Sequence, residues 1–201
     1  MSEIFLKNDY LPPVNLREIC RYAGAKLDDE RLVREIEKSL SLSQGQWRFG
    51  VCYRFFDVKR EGEILDLGFA KSDSSALLKV LADCHGLLLF AATVGPYPDR
   101  MALRYGSTDP YRALVYSAIG SERVESLCDL FAKDMAEQLQ KEGCFLTPRF
   151  SPGYGDLPLS LQKEIFLALM PQRYPGITLN DSLLMWPCKS VTAIMGIGKK
   201  K

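Results

Sequence analysis

Apolar positions along the chain change their period several times, and each change marks a new element. Asn15 followed by Glu18 has the form of a helix start, with Leu16, Ile19 and Cys20 on one face behind it. Gly24 interrupts that helix. A second opens near Asp28 and carries Leu32, Val33, Ile36 and Leu40 at helical spacing. From Trp47 the period falls to two: Phe49, Val51, Tyr53 and Phe55 alternate with other residues, as on a half-buried strand. The Glu61-Gly62 pair turns the chain, and Leu65, Leu67 and Phe69 predict a return strand, hence a hairpin.

Further on, Asp73 is placed to cap a short helix through Leu77, Leu78 and Leu81. The run L-L-L-F-A-A-T-V at 87–94 has the length and β-branched end of a buried strand. Helical patterning covers 98–105 and 110–142, the second bent or interrupted near Gly120 and ended by Gly143. Its stripe of Val124, Leu127, Cys128, Phe131 and Met135 is core. Residues 144–151 are extended, because Thr147 and Ser151 each precede a proline. Pro158, as a first-turn proline, opens a helix to Met170, and L-L-M-W-P-C-K-S-V-T-A-I-M reads as two short strands broken at Pro187. Strands and helices do not alternate as βαβ units. The expected fold is α+β: a single domain over 1–201 with a mainly antiparallel twisted sheet and flanking helices.

Composition narrows the function more than the fold. With 26 basic and 25 acidic residues among 201, the formal net charge is +1, which leaves no electrostatic footprint for nucleic acid or an acidic membrane. Lys199-Lys200-Lys201 is the one basic run and reads as a solubilising tail. The longest apolar run, Gly86 to Gly95, is too short to span a bilayer, and M-S-E-I-F-L-K-N-D lacks the pattern of a secretory signal. Six cysteines without a C-x-x-C pair read as free thiols in a reducing compartment, so a cytoplasmic location is expected. No serine or cysteine has a plausible histidine partner, since His85 is the single histidine. Gly196-Ile197-Gly198 follows a strand but opens no helix, which excludes a dinucleotide fingerprint.

The stretch 147–156, T-P-R-F-S-P-G-Y-G-D, carries the chemistry. On an extended chain Arg149, Ser151 and Gly153 share one side, opposite Phe150 and Pro152. That side presents a guanidinium beside two small residues. The guanidinium fork suits a carboxylate, Gly153 lets a ligand approach the backbone, and Tyr154 can lay its ring against a cation or a base. Two prolines stiffen the loop before any ligand arrives. A rigid surface loop whose arginine pairs with a nearby helix end stays open as the plainer reading.

R-F-S-P-G-Y-G-D resembles the R-x-[AS]-P-G-Y motif of the activation domain of cobalamin-dependent methionine synthase. M-W-P-C-K-S-V-T-A at 185–193 resembles a second signature of that domain, M-x-P-x-x-S-V, at a similar separation. The stretch from L-L-L-F-A-A-T-V-G at 87–95 to S-E-R-V-E at 121–125 agrees as well, so the resemblance covers residues 84–194. It implies a domain that binds S-adenosylmethionine (AdoMet) in a shallow groove, with Arg149 on the ligand carboxylate. Ser151 and Gly153 shape that groove, Tyr154 matches the family's tyrosine, and Glu125 matches a glutamate that also contacts the ligand. Read from the residues alone, Glu125 lies on a solvated helix face, and its i+4 neighbour Asp129 is a like charge.

The resemblance further implies a role in reductive methylation of cob(II)alamin, with a methyl group from AdoMet and an electron from a flavodoxin-type donor. The protein would position the sulfonium methyl, and no general acid or base is needed. The sequence stops at Lys201, soon after the second signature, and has no match for the family's N-terminal aspartate. The expectation is therefore a stand-alone reactivation factor that meets cobalamin only on a separate methionine synthase lacking its own activation domain. The alternatives are a corrinoid-protein docking module that has lost AdoMet and an unrelated methyltransferase.

Overall fold

The computed structural model describes residues 3–200, so Lys201 of the basic run lies outside the described residues. A short strand β1 (Phe5–Lys7) leads to helices α1 (Leu16–Tyr22) and α2 (Glu30–Leu42). Asn15 caps α1 by accepting from the Glu18 N–H, and Asp29, one residue past the expected start, caps α2 by accepting from Leu32 N–H. Then come β2 (Gly50–Asp57), β3 (Lys59–Glu61), β4 (Ile64–Asp66), β5 (Lys71–Ser72), helix α3 (Ser75–Val80) and β6 (Cys84–Thr93). Helices α4 (Tyr97–Tyr105) and α5 (Pro110–Lys141) follow, then β7 (Cys144–Leu146), α6 (Gln162–Leu169), β8 (Thr178–Leu179), β9 (Met185–Trp186) and β10 (Ser190–Lys199).

The main sheet has five strands in the order β1-β2-β6-β10-β7, and each of its pairings is antiparallel. Together with its flanking helices it makes the α+β domain that the patterning predicts. Strand β6 is buried from Gly86 to Thr93, because both faces of the sheet are covered. Alternate residues of β6 and β10 enter different cores. Leu88, Phe90, Ala193 and Met195 meet Leu127, Phe131 and Met135 of α5. Leu87, Leu89 and Ile194 meet Leu77 of α3, Ile165 of α6 and Leu65 of β4. A third cluster joins α1 and α2 to the first half of α5 through Ile19, Ile36 and Ile119.

Several expectations need correction. The Glu61-Gly62 turn exists, but it joins β4 to β3 within a separate three-stranded sheet, whereas β2 pairs with β1 and β6. Alternation reveals which face is apolar, not which strand lies alongside. Ser74, not Asp73, caps α3 by accepting from the Leu77 N–H. Pro158 precedes a short 3-10 turn at Leu159–Leu161 rather than opening the helix itself. Beyond Pro187 the final strand is ten residues long, not short.

Helix α5 runs unbroken for 32 residues through Gly120. That glycine serves packing rather than bending. A β-carbon there would sit 2.7 Å from Pro98 Cβ of α4 and 2.9 Å from Lys189 Cγ. One turn of α5 distributes its side chains by task. Glu122 and Arg123 are buried and hold the incoming segment, Arg123 donating to the Pro12 and Pro13 carbonyls while Glu122 accepts from Asn15 N–H. Val124 enters the core, and Glu125 faces the cavity at the sheet edge described next.

Candidate functional site

The site begins where the chain leaving α5 runs beside β10. Strand β7 pairs with Ile197–Lys199, and the following residues stay fastened to the same edge. Thr147 N–H donates to the Gly196 carbonyl at 2.9 Å, and Gly196 N–H donates back to Thr147 Oγ1 at 2.8 Å. Phe150 and Ile194 exchange both backbone bonds, at 2.9 and 2.8 Å. Between these anchors lie Pro148, which has no N–H to leave unpaired, and Arg149. Alternation then sends Phe150 into the apolar layer against α6 and Arg149 the other way, over α5.

Over α5, Arg149 Nη2 donates to Glu125 Oε2 at 3.0 Å and to Asp129 Oδ1 at 2.8 Å. The two carboxylates stand one helical turn apart, where they repel each other, and the guanidinium lies between them. Burial works against the charge on Arg149, but the Glu125 and Asp129 carboxylates favour it, and its pKa is held above the ordinary value. The arginine side chain is 24 % exposed, against 41 % for Glu125 and 73 % for Asp129. The cation is therefore the inner member of the cluster. Burial also pushes the Cys128 thiol beneath it up to about 12, so that group stays neutral.

Arg149, Glu125, Asp129, Ser151, Tyr154 and Gln162 line a cavity of about 720 Å³ along the β10 edge, a volume that suits a small organic ligand. Four of the five residues that the sequence singles out thus meet around one space. The fifth, Gly153, does not line it. The extended run ends at Ser151, and the chain turns back on itself there. Tyr154 N–H donates to Ser151 O at 3.2 Å, and Gly153 N–H donates to Leu157 O at 2.9 Å. Gly153 has φ +91° and is needed for that turn. Tyr154, 68 % exposed, stands at the rim.

Sequence reasoning misses Asp129 and Gln162 as members of the site, and Asp156 as the anchor of its turn. Asp129 has a signal: a like charge four residues from Glu125 calls for a cation between them. Asp156 ties the turn to α3. Its carboxylate accepts from the Ser74 hydroxyl, from Ser75 N–H at 2.7 Å and from Ala76 N–H at 3.1 Å. These bonds, first those from Ser74 and Ser75, hold its pKa well below the usual 3.8. A depressed carboxylate pKa stabilises the folded state above its unfolded value, and that stability is lost as pH falls through the folded one. Asp156→Asn is accordingly expected to lower the melting temperature at pH 7 and to narrow its gap from wild type below about pH 4. Thermal unfolding followed by circular dichroism across that range checks this; a gap that does not vary with pH would contradict it.

His85 is exposed and borders a separate cavity with Arg54 and Glu142. Among the described residues no cluster of acidic, histidine and cysteine side chains could hold a metal ion, and no helix is long and apolar enough to cross a membrane. The six cysteines are free; four are buried, Cys84 is half-buried and Cys188 is exposed.

Comparison with known proteins gives a fold. No family model matches the chain, and no curated protein matches it in sequence. Among solved structures it is similar to the crystal structure of the MetH reactivation domain bound to AdoHcy. The TM-score is 0.72 at 16% sequence identity, over 96% of this chain and 78% of that one. The fold of this chain is therefore that of the MetH reactivation domain, a single-domain α+β architecture with a curled antiparallel sheet.

Proposed function

We propose that this protein is an AdoMet-binding reactivation factor, and that the cavity beside β10 is where AdoMet docks. The observation that carries the reading is the charge order around Arg149. The cavity wall holds one cation and two carboxylates, and AdoMet carries the opposite set: one carboxylate, one ammonium and one sulfonium. Arg149 takes the ligand carboxylate, while Glu125 and Asp129 face its two positive groups. Ser151 borders the path of the ligand and Tyr154 covers it from the rim; Gly153 acts by shaping the turn between them. The product, AdoHcy, has lost the sulfonium charge and with it one attraction to the carboxylates, which favours release after transfer.

In this reading the partner is a cobalamin-binding methionine synthase on a separate chain, in the cytoplasm, with a flavodoxin-type protein as electron donor. The chemistry supplied there is reductive methylation of cob(II)alamin, which consumes one electron and one methyl group and leaves AdoHcy. The residues of this chain bind and orient the donor; none has to move a proton. Calorimetric titration with AdoMet, with and without the cobalamin-loaded partner, is expected to give saturable single-site binding. No binding in either condition would remove the proposal.

One observation favours a second reading. Arg149 is held through Nη2 at 3.0 and 2.8 Å by its own carboxylates, so its charge is already compensated before any ligand arrives. A corrinoid-protein docking module that has lost AdoMet would keep such a closed ion cluster. Copurification with a cobalamin protein, together with an empty cavity at high AdoMet, would select it.

A further inference from the structure

The charged cluster accounts for one part of the cavity. The part against α6 has a different chemistry. Gln162, the first residue of α6, is 5 % exposed and Thr192 of β10 is 3 % exposed, yet both are polar. Thr192 Oγ1 donates to Gln162 Oε1 at 3.4 Å, which is long for a hydroxyl donor. The Gln162 Nε2 makes no hydrogen bond among the described residues, although the side chain lines the cavity. Amide oxygen and nitrogen exchange places by a flip, so either way round one polar atom is left for the cavity.

The strand edge adds to this. Even-numbered residues of β10 turn their backbone groups away from β6, and there Ile194 bonds with Phe150 and Gly196 with Thr147. Thr192 turns its N–H and C=O the same way. Beyond Phe150 the neighbouring chain has turned off at Ser151-Pro152, so no described strand pairs with β10 at Thr192 on that side. Phe150 and Met185 flank the space with apolar surface, and neither Gln162 nor Thr192 carries a charge. Unmet neutral donors and acceptors between apolar walls match a flat, uncharged heteroaromatic ring. They do not match a phosphate or a second carboxylate.

We propose that Gln162, backed by Thr192, is the side chain that recognises the adenine base of the ligand, hydrogen-bonding the polar edge of the ring. The inference rests on the reading that this cavity takes AdoMet. Gln162→Leu keeps the volume and removes both polar atoms; Gln162→Glu keeps the shape and removes the donor. Each is expected to bind AdoMet about tenfold more weakly than wild type, the effect of one lost buried hydrogen bond. The neutral fragment 5′-methylthioadenosine, which lacks the amino-acid end, reports on this half alone. In ¹⁵N spectra of wild type, the side-chain amide signal missing from Gln162→Leu is expected to shift when the fragment is added.

If wild type binds no AdoMet, the parent reading fails and this one goes with it. If wild type binds AdoMet while both variants bind within twofold of it, only the role of Gln162 is overturned. That role is likewise overturned if AdoMet binds and the amide signal stays in place under saturating AdoMet.

Discussion

Arg149→Ala is expected to weaken AdoMet binding about ten- to a hundredfold and to leave the fold in place. A hydrogen bond to a charged group contributes about 1.5–3 kcal/mol when the alternative is an unpaired carboxylate, and each 1.4 kcal/mol or so is a factor of ten. The fold survives because the arginine's partners are wet: Glu125 is 41 % and Asp129 is 73 % exposed. Ion pairs with solvated partners contribute about 0–1 kcal/mol to stability. Removing the cation also leaves two like charges one turn apart on α5, a penalty of only about 0.2–0.5 kcal/mol. Arg149→Lys keeps the charge and loses the fork, so it should fall between the two. Calorimetry with AdoMet beside thermal unfolding separates the outcomes. Unchanged affinity in the alanine variant would sink the clamp, and an unfolded variant would make Arg149 a structural tie instead.

That prediction depends on geometry that the sequence shows only in part. The extended run to Ser151 is legible because two residues before prolines avoid the helical region, and the neighbouring ladder bonds then fix it. Which side chains face Arg149 is not legible, since Glu125 and Asp129 precede it by 24 and 20 positions. Periodicity places both on one face of α5 but cannot say what crosses that face. The turn at Gly153 is hidden for another reason. A proline followed by glycine allows extension or reversal, and the Asp156 tether to α3, a contact about 80 residues away in sequence, decides for reversal. The pattern makes β10 too short because Gly196 and Gly198 look like a strand end. They are small because a β-carbon would meet Cys84 Sγ at 2.5 Å and the Phe145 ring at 2.2 Å respectively. Long-range crowding of this kind leaves no local pattern.

The same dependence of the site on distant packing sets the largest stability effect. Phe131 of α5 is fully buried between the helix and the sheet, with ring centroids 5.0 Å from Phe90, 5.2 Å from Tyr53 and 6.2 Å from Tyr10. Phe131→Ala removes a whole ring from a position that three other rings surround. Such a cavity costs roughly 3–5 kcal/mol. In a domain of this size it should lower the melting temperature by roughly 10–15 °C. Phe131→Leu, which refills most of the space, should cost clearly less. Phe131 lies half a turn beyond Asp129, so a helix that settles into the void shifts both carboxylates relative to Arg149, which is fixed to β10. Affinity for AdoMet should therefore fall in Phe131→Ala even at temperatures where it is fully folded. Urea unfolding gives the first quantity and calorimetry well below the midpoint gives the second. A loss of stability without loss of binding would mean that the clamp is set by the β10 edge alone, and that α5 only roofs the core.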